Sequence, residues 1–137
     1  MALALPAELR PGLTGTSEIV VGTRDTAPHV GSGQISVLAT PIMVNLMEAA
    51  ALQAVERYVP AGFQTVGTHL DVRHFAATPV GMRVRASAEL VKVDGRTLTF
   101  KLSAEDEREP VGDGTHERLV INVARFDQRM QDKMKGR

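Results

Sequence analysis

Residues 40–58 read TPIMVNLMEAAALQAVERY, and this stretch decides the fold. Thr40 is a good helix N-cap, and Pro41 suits the first helical position, where its missing N–H costs nothing. From Pro41 to Tyr58 no glycine or proline interrupts the run, which as a helix spans about 27 Å at about 1.5 Å per residue. Apolar residues go nearly all the way round: Ile42, Met43, Val44, Leu46, Met47, Ala49, Ala50, Ala51, Leu52, Ala54 and Val55. A helix of that kind is mostly buried rather than laid on a surface. Pro60 and Gly62 end it.

Outward from this helix the chain reads as strands. Thr16–Arg24 (TSEIVVGTR) is β-branched and extended. Asp25–Ala39, broken by Pro28, Gly31 and Gly33, is expected to be a loop, long enough to act as a lid. After the helix, Gln64–Ala76 is the next strand. In it, alternation groups His74 with Val66, Leu70 and Val72 on the core side, and His69, Asp71 and Arg73 on the other. Met82–Val93 and Thr97–Glu105 alternate around Asp94-Gly95, a strong hairpin signal. Glu107–Gly114 is expected to be a turn-rich link, Thr115–Phe126 the last strand and Asp127–Arg137 a frayed, charged helix. One domain, residues 1–137, follows: an α+β fold in which an antiparallel β-sheet wraps a central helix, the hotdog arrangement. One helix cannot cover such a sheet, and the sheet's edges stay open. Pairing of edges in a homodimer answers both problems, with further pairing into tetramers left open.

Composition narrows the function. Of 137 residues 43% are hydrophobic, enough for a core. Basic and acidic residues balance at 16 each, so no broad field draws the chain to nucleic acid or membrane. With no tryptophan, one tyrosine and four phenylalanines there is no stacking platform for bases. Cysteine is absent, which removes disulfides, thiolate nucleophiles and thiolate-held metals and fits a cytoplasmic protein. The apolar start MALALPAELRPG lacks a basic leader and carries Pro6 and Glu8, so no signal peptide is read there. No apolar run approaches the roughly 20 residues of a membrane span.

Chemistry rests on few residues. Glu48 lies mid-helix with Val44, Ala51 and Leu52 at helical spacing. It is either part of a narrow polar strip with Asn45 and Gln53, or a buried carboxylate of the sort that clusters at functional sites. His74 points toward the helix, where a histidine is structural or catalytic. Thr40 is explained by capping alone, yet helix N-termini also offer N–H donors to an oxyanion or phosphate. It precedes Glu48 by about two turns, so the two do not touch but can line one pocket. Arg118 reads as a solvated edge-strand charge. His29 and His116 have no assignable partners. Neither metal-binding histidine spacings, nor phosphate-binding glycine loops, nor a nucleophile elbow occur.

Four segments carry a resemblance: LATPIMVNLMEAA, VGTHLDVRHFAATPVGMRVRASAEL, VDGR and GDGTHERLVINVARF. From about Leu38 to Phe126 they resemble the fluoroacetyl-CoA thioesterase family in order and spacing. A-T-P-x-x-V-x-L-M-E, H-x-A-A-T-P-x-G and G-x-G-T-H-E-R are the specific parts. The resemblance implies a hotdog fold and hydrolysis of acyl-CoA thioesters with no metal or redox cofactor, CoA being part of the substrate. It also implies that Thr40, Glu48 and His74 are catalytic and that Gly67 and Arg118 contact the substrate. Glu48 then either attacks the carbonyl or activates water. His74 relays a proton, Thr40 bonds Glu48 or the nucleophile, and Gly67 offers a backbone N–H to the oxyanion. Arg118 positions the acyl end or the water. Arg73, Arg83 and Arg85 are the exposed cations available to CoA phosphates. The chain departs from the specialised enzymes in one respect. They carry an aromatic lid before the threonine, whereas Asp25–Ala39 has no phenylalanine, tyrosine or tryptophan, which points to a broader small acyl-CoA. Two rival readings are a hydratase or dehydratase on the same fold and a non-catalytic acyl-CoA sensor.

Overall fold

The structure, a computed structural model, describes residues 4–136, so the first three residues of the apolar start and Arg137 lie outside it. Five strands, β1 (Thr14–Val20), β2 (Phe63–His74), β3 (Arg83–Asp94), β4 (Thr97–Asp106) and β5 (Pro110–Asn122), form one antiparallel sheet. Their order is β1-β3-β4-β5-β2, which makes β1 and β2 the edges. The helices are a single turn, α1 (Ala27–Val30), the central α2 (Thr40–Val55) and α3 (Val123–Met134). Met43, Met47, Ala50, Ala51, Ala54 and Val55 of α2 are buried against Val84, Ala86, Leu90, Leu98, Phe100 and Leu102 of the sheet. Close approach at the β1 side is set by Gly15: a Cβ there would strike the backbone of Ala50 and Ala54. The helix therefore sits on β1 and β3, and its Val44, Glu48, Ala49 and Leu52 side is only partly covered.

Several boundaries differ from the sequence reading, each for a local reason. β1 stops at Val20 because residues 23–25 form a turn: the Gly22 N–H donates to Asp25 (2.8 Å) and the Thr26 hydroxyl to the Thr23 carbonyl (2.7 Å). The Asp25–Ala39 loop holds α1 and is tied down by bridges Thr26↔Leu38 and Val37↔Pro79. α2 ends at Val55, with a tighter turn over Glu56–Tyr58. β5 begins at Pro110, inside the expected link, because Gly112 and Gly114 mark close packing rather than a turn. A Cβ on Gly112 would meet the Arg73 carbonyl at 2.8 Å, and one on Gly114 would meet Val72 Cα at 2.7 Å. α3 starts at Val123 because the Asn122 side chain accepts from the Arg125 N–H (3.0 Å) and caps it.

The most consequential difference lies in β2. Its pairing with β5 shifts register between Gly67 and His69, leaving Thr68 as the extra residue of a bulge. One extra residue flips the alternation. Before the bulge Thr65 and Gly67 share the helix-side face with their partners Val120 and Arg118. After it Leu70, Val72 and His74 take that face. Val66, grouped by alternation with His74, instead pairs with Leu119 on the outer face.

Candidate active site

Thr40 is not the helix cap. Ala39 occupies that position, and no side chain caps the helix. The Thr40 hydroxyl is free to reach β2, where it lies 2.8 Å from Nδ1 of His74. His74 is half-buried, and its Nε2 is buried with no hydrogen-bond partner among the described residues. Burial holds the ring below the ordinary histidine range, and the Ala76 backbone offsets part of the shift. The result is a largely neutral imidazole, anchored at one nitrogen, with the other enclosed and unpaired. Beside it is a cleft of about 310 Å³ whose lining includes Ala27, Ser32, Val37, Phe75, Ala76 and Ala77. A larger groove between β5 and α3, about 510 Å³, is lined by Arg96, Arg125 and Arg129 and includes neither Thr40, Glu48 nor His74.

Glu48 belongs to a second cluster. Its Oε2 lies 3.7 Å from Nη1 of Arg118, and its side chain is 37% exposed, so it is neither fully buried nor on a free polar strip. A Cβ on Gly67 would meet that Oε2 at 2.9 Å, so only glycine lets the β2 backbone approach the carboxylate this closely. Arg118 is buried, because β5 lies between β4 and β2 rather than at an edge. Its Nε donates to Thr65 Oγ1 (2.9 Å), its Nη2 to the Thr65 carbonyl (3.1 Å) and its Nη1 to Nε2 of His116 (3.1 Å). Burial pulls the guanidinium below its ordinary range, and Glu48 opposes this. The site thus has two halves on one sheet face, with no hydrogen bond or ion pair between Glu48 and either Thr40 or His74 among the described residues.

The sequence reading missed Thr65 and His116. His116 carried a signal, since it stands two residues before Arg118 and so shares its face of the strand. Thr65 carried none, because its face depends on the bulge. The cations proposed for CoA phosphates are already engaged: Arg73 with Asp113 (2.9 Å), and Arg83 and Arg85 with Glu18 (3.2 and 2.8 Å). His29 is exposed on α1. Among the described residues no group of three or more His, Cys, Asp or Glu side chains is placed to hold a metal ion. No helix there is long and apolar enough to cross a membrane.

A curled antiparallel sheet packed on one long helix, with a carboxylate on the helix and a histidine on the edge strand, defines a protein of the hotdog class. A hot-dog-like protein from Thermanaerovibrio acidaminovorans superposes with a TM-score of 0.86 at 22% identity, over 94% of this chain and 96% of that one. Residues 21–124 match the family of the fluoroacetyl-CoA-specific thioesterase, and the chain belongs to that family. The fluoroacetyl-CoA thioesterase of Streptantibioticus cattleyicolor is 38% identical over 131 residues, 91% of this chain and 94% of that one. A solved structure of the fluoroacetyl-CoA thioesterase FlK gives a TM-score of 0.85 at 38% identity, over 90% of this chain and 96% of the other.

Proposed function

We propose that the protein is an acyl-CoA thioesterase that hydrolyses a small acyl-CoA to the free acid and CoA. The carrying observation is the paired arrangement on one sheet face: His74, oriented by Thr40 with Nε2 unpartnered, and Glu48, held by Arg118 beside Gly67. Thioester hydrolysis needs an oxygen nucleophile, a place for charge on the carbonyl oxygen and a proton for the departing thiolate. Glu48 supplies the nucleophile, by attack or by taking a proton from water. The oxyanion is assigned to the backbone N–H at Gly67, where the missing Cβ lets the chain come close to Glu48 just before the register shift. His74 Nε2 handles the proton that reaches the CoA sulfur. Thr40 serves Glu48 only indirectly, since its partner is the histidine. The cleft lined by Ala76, Ala77 and Val37 takes the acyl group.

The working unit is a homodimer joined along the free edge of β2. Support comes from the open edge, from the partly covered side of α2, and from Leu70, 40% exposed on the helix-side face. Light scattering after gel filtration tests this, and a monomer at working concentration would reject it. We assign the enzyme to the cytoplasm because acyl-CoA is its substrate.

Free-thiol release, followed with a thiol-reactive dye over short, medium and aromatic acyl-CoAs, tests the activity. Release by the wild type and its loss in Glu48→Ala, with the fold kept, is the expected outcome. Acyl-CoA binding without any release would make the protein a sensor instead.

A further inference from the structure

Behind the two clusters sits a fully buried histidine that the reaction as drawn does not use. His116 lies on β5 with its ring beside Phe100, centroids 6.0 Å apart. Its Nδ1 is 2.8 Å from the His69 carbonyl and its Nε2 is 3.1 Å from Nη1 of Arg118. These two partners fix its chemical state. A carbonyl can only accept, so Nδ1 carries the proton. A guanidinium can only donate, so Nε2 presents its lone pair. The ring is therefore the neutral Nδ1–H tautomer. Burial, the largest influence on its protonation, favours the same form.

The geometry of Arg118 gives that tautomer a task. Thr65 receives Nε and Nη2, which lie along one edge of the planar guanidinium. Two contacts on one edge act as a hinge: the plane can still swing about it. The third contact, Nη1 to His116, stops the swing and leaves the other Nη1 proton facing Glu48 at 3.7 Å. The same imidazole stands behind Gly67, where a Cβ would lie 3.2 Å from its Cε1. The bulge at Thr68 belongs to this device, because past it the His69 carbonyl is the one that receives Nδ1.

We propose that His116 is a positioning residue for the thioesterase reaction: as a neutral acceptor it locks the Arg118 guanidinium, and Arg118 in turn holds the Glu48 carboxylate in its reactive place. This inference rests on the thioesterase reading above. It predicts an effect on turnover rather than on substrate binding, because His116 lies behind Arg118 and Gly67, away from the acyl cleft.

The test compares His116→Phe, which keeps an aromatic ring beside Phe100 without its nitrogens, with His116→Gln, whose amide can donate to the His69 carbonyl and accept from Arg118. Thiol release is measured for each, alone and with Arg118→Met. Displacement of a catalytic group by an ångström or less costs about 10- to 100-fold, and that loss is expected in kcat of the Phe variant with KM within about threefold. The Gln variant should recover most of kcat, and His116→Phe should add little once Arg118 is Met. If the Phe variant does not fold, His116→Asn takes its place, since its shorter amide reaches the His69 carbonyl but not Arg118. Equal kcat in the wild type and the Phe or Asn variant overturns the proposal. So does a Gln variant no better than Phe or Asn, or a full loss from His116→Phe on top of Arg118→Met. A wild type that releases no thiol overturns the thioesterase reading itself, a separate result.

Discussion

The Thr40 hydroxyl sits 2.8 Å from Nδ1 of His74 and does not cap the helix that it begins. The first turn of α2 thus gives its one hydroxyl to a ring on the edge strand, tying the helix start to the imidazole. Thr40→Ala is expected to lower kcat/KM by about 10- to 100-fold, the usual cost of losing the orientation of a catalytic group. Stability should change by less than about 1 kcal/mol, because no cap is lost. Thr40→Ser keeps the oxygen and should stay within about tenfold of the wild type. Thiol-release kinetics with thermal melts on the same samples decide this. A large drop in melting temperature for Thr40→Ala would return the residue to a structural role.

Gly67 makes a prediction that separates activity from folding. A methyl group there would meet Glu48 Oε2 at 2.9 Å, His116 Cε1 at 3.2 Å and Arg118 Nη1 at 3.6 Å. The tightest contact is the far end of a flexible, part-exposed side chain, so Glu48 rather than the backbone gives way. Gly67→Ala is therefore expected to fold and to lose about 10- to 100-fold in kcat. Gly15→Ala behaves oppositely: its methyl would meet the backbone of Ala50 and Ala54, which cannot step aside. It should destabilise by about 1–3 kcal/mol as an overpacked helix–strand contact. Urea unfolding of both variants beside their kinetics distinguishes the two, and matching losses of stability would reject the assignment for Gly67.

Which parts of this were legible in the sequence follows from how local each signal is. The helix, the hairpin at Asp94-Gly95 and the sheet's apolar face are written in runs of neighbouring residues, and the structure has them. Thr40 looked like a cap because capping is a local rule. Its actual partner lies 34 positions away, and the competition between the two is tertiary. Gly112 and Gly114 looked like turn residues because a lone chain cannot show that Arg73 and Val72 pass close by. The bulge at Thr68 has no sequence signature here, so every face assignment across it was at risk. Val66 fell on the wrong side while His74, beyond the bulge, did not. Arg118 was placed at an edge because strand order is not readable from a meander whose last strand inserts between β4 and β2.

Two imidazoles, His116 buried and His74 half-buried, give the protein a pH-dependent stability with a definite sign. His74 and His116 are both held below the ordinary histidine range, in each case chiefly by burial. Between the unfolded value of about 6.5 and the lower folded values, the unfolded chain binds more protons, so stability increases with pH there. The contribution is complete above about pH 6.5 and is lost as pH falls from there through the folded values. Asp106 and Asp113, whose carboxyls are also lowered, act in the same direction but only in the more acidic carboxylate range. The urea midpoint should therefore fall between about pH 7.5 and about pH 5.5, and His116→Gln should reduce that fall. An unchanged midpoint over that interval in the wild type would show that the rings titrate alike in both states.

The acyl cleft leads to a prediction about fluorine. Fluorine next to the carbonyl withdraws electrons, so fluoroacetyl-CoA is hydrolysed faster than acetyl-CoA even by hydroxide. An enzyme that recognises the fluorine must exceed that intrinsic ratio. Here the segment between Asp25 and Ala39 presents Ala27, Ser32, Val37 and Leu38 to the cleft. Besides the His74 imidazole, the ring in the lining is Phe75, from just beyond β2, which is 52% exposed and carries the Arg73 guanidinium 5.5 Å from its centroid. Small side chains and an exposed ring offer a single fluorine little contact, and one atom's worth of apolar contact is worth only about 1 kcal/mol. The ratio of kcat/KM for fluoroacetyl-CoA over acetyl-CoA should therefore match the hydroxide ratio within about tenfold. Both ratios come from the same thiol-release assay, one with enzyme and one with added base. An enzymatic ratio larger by a thousandfold would mean that another element of this chain reads the fluorine.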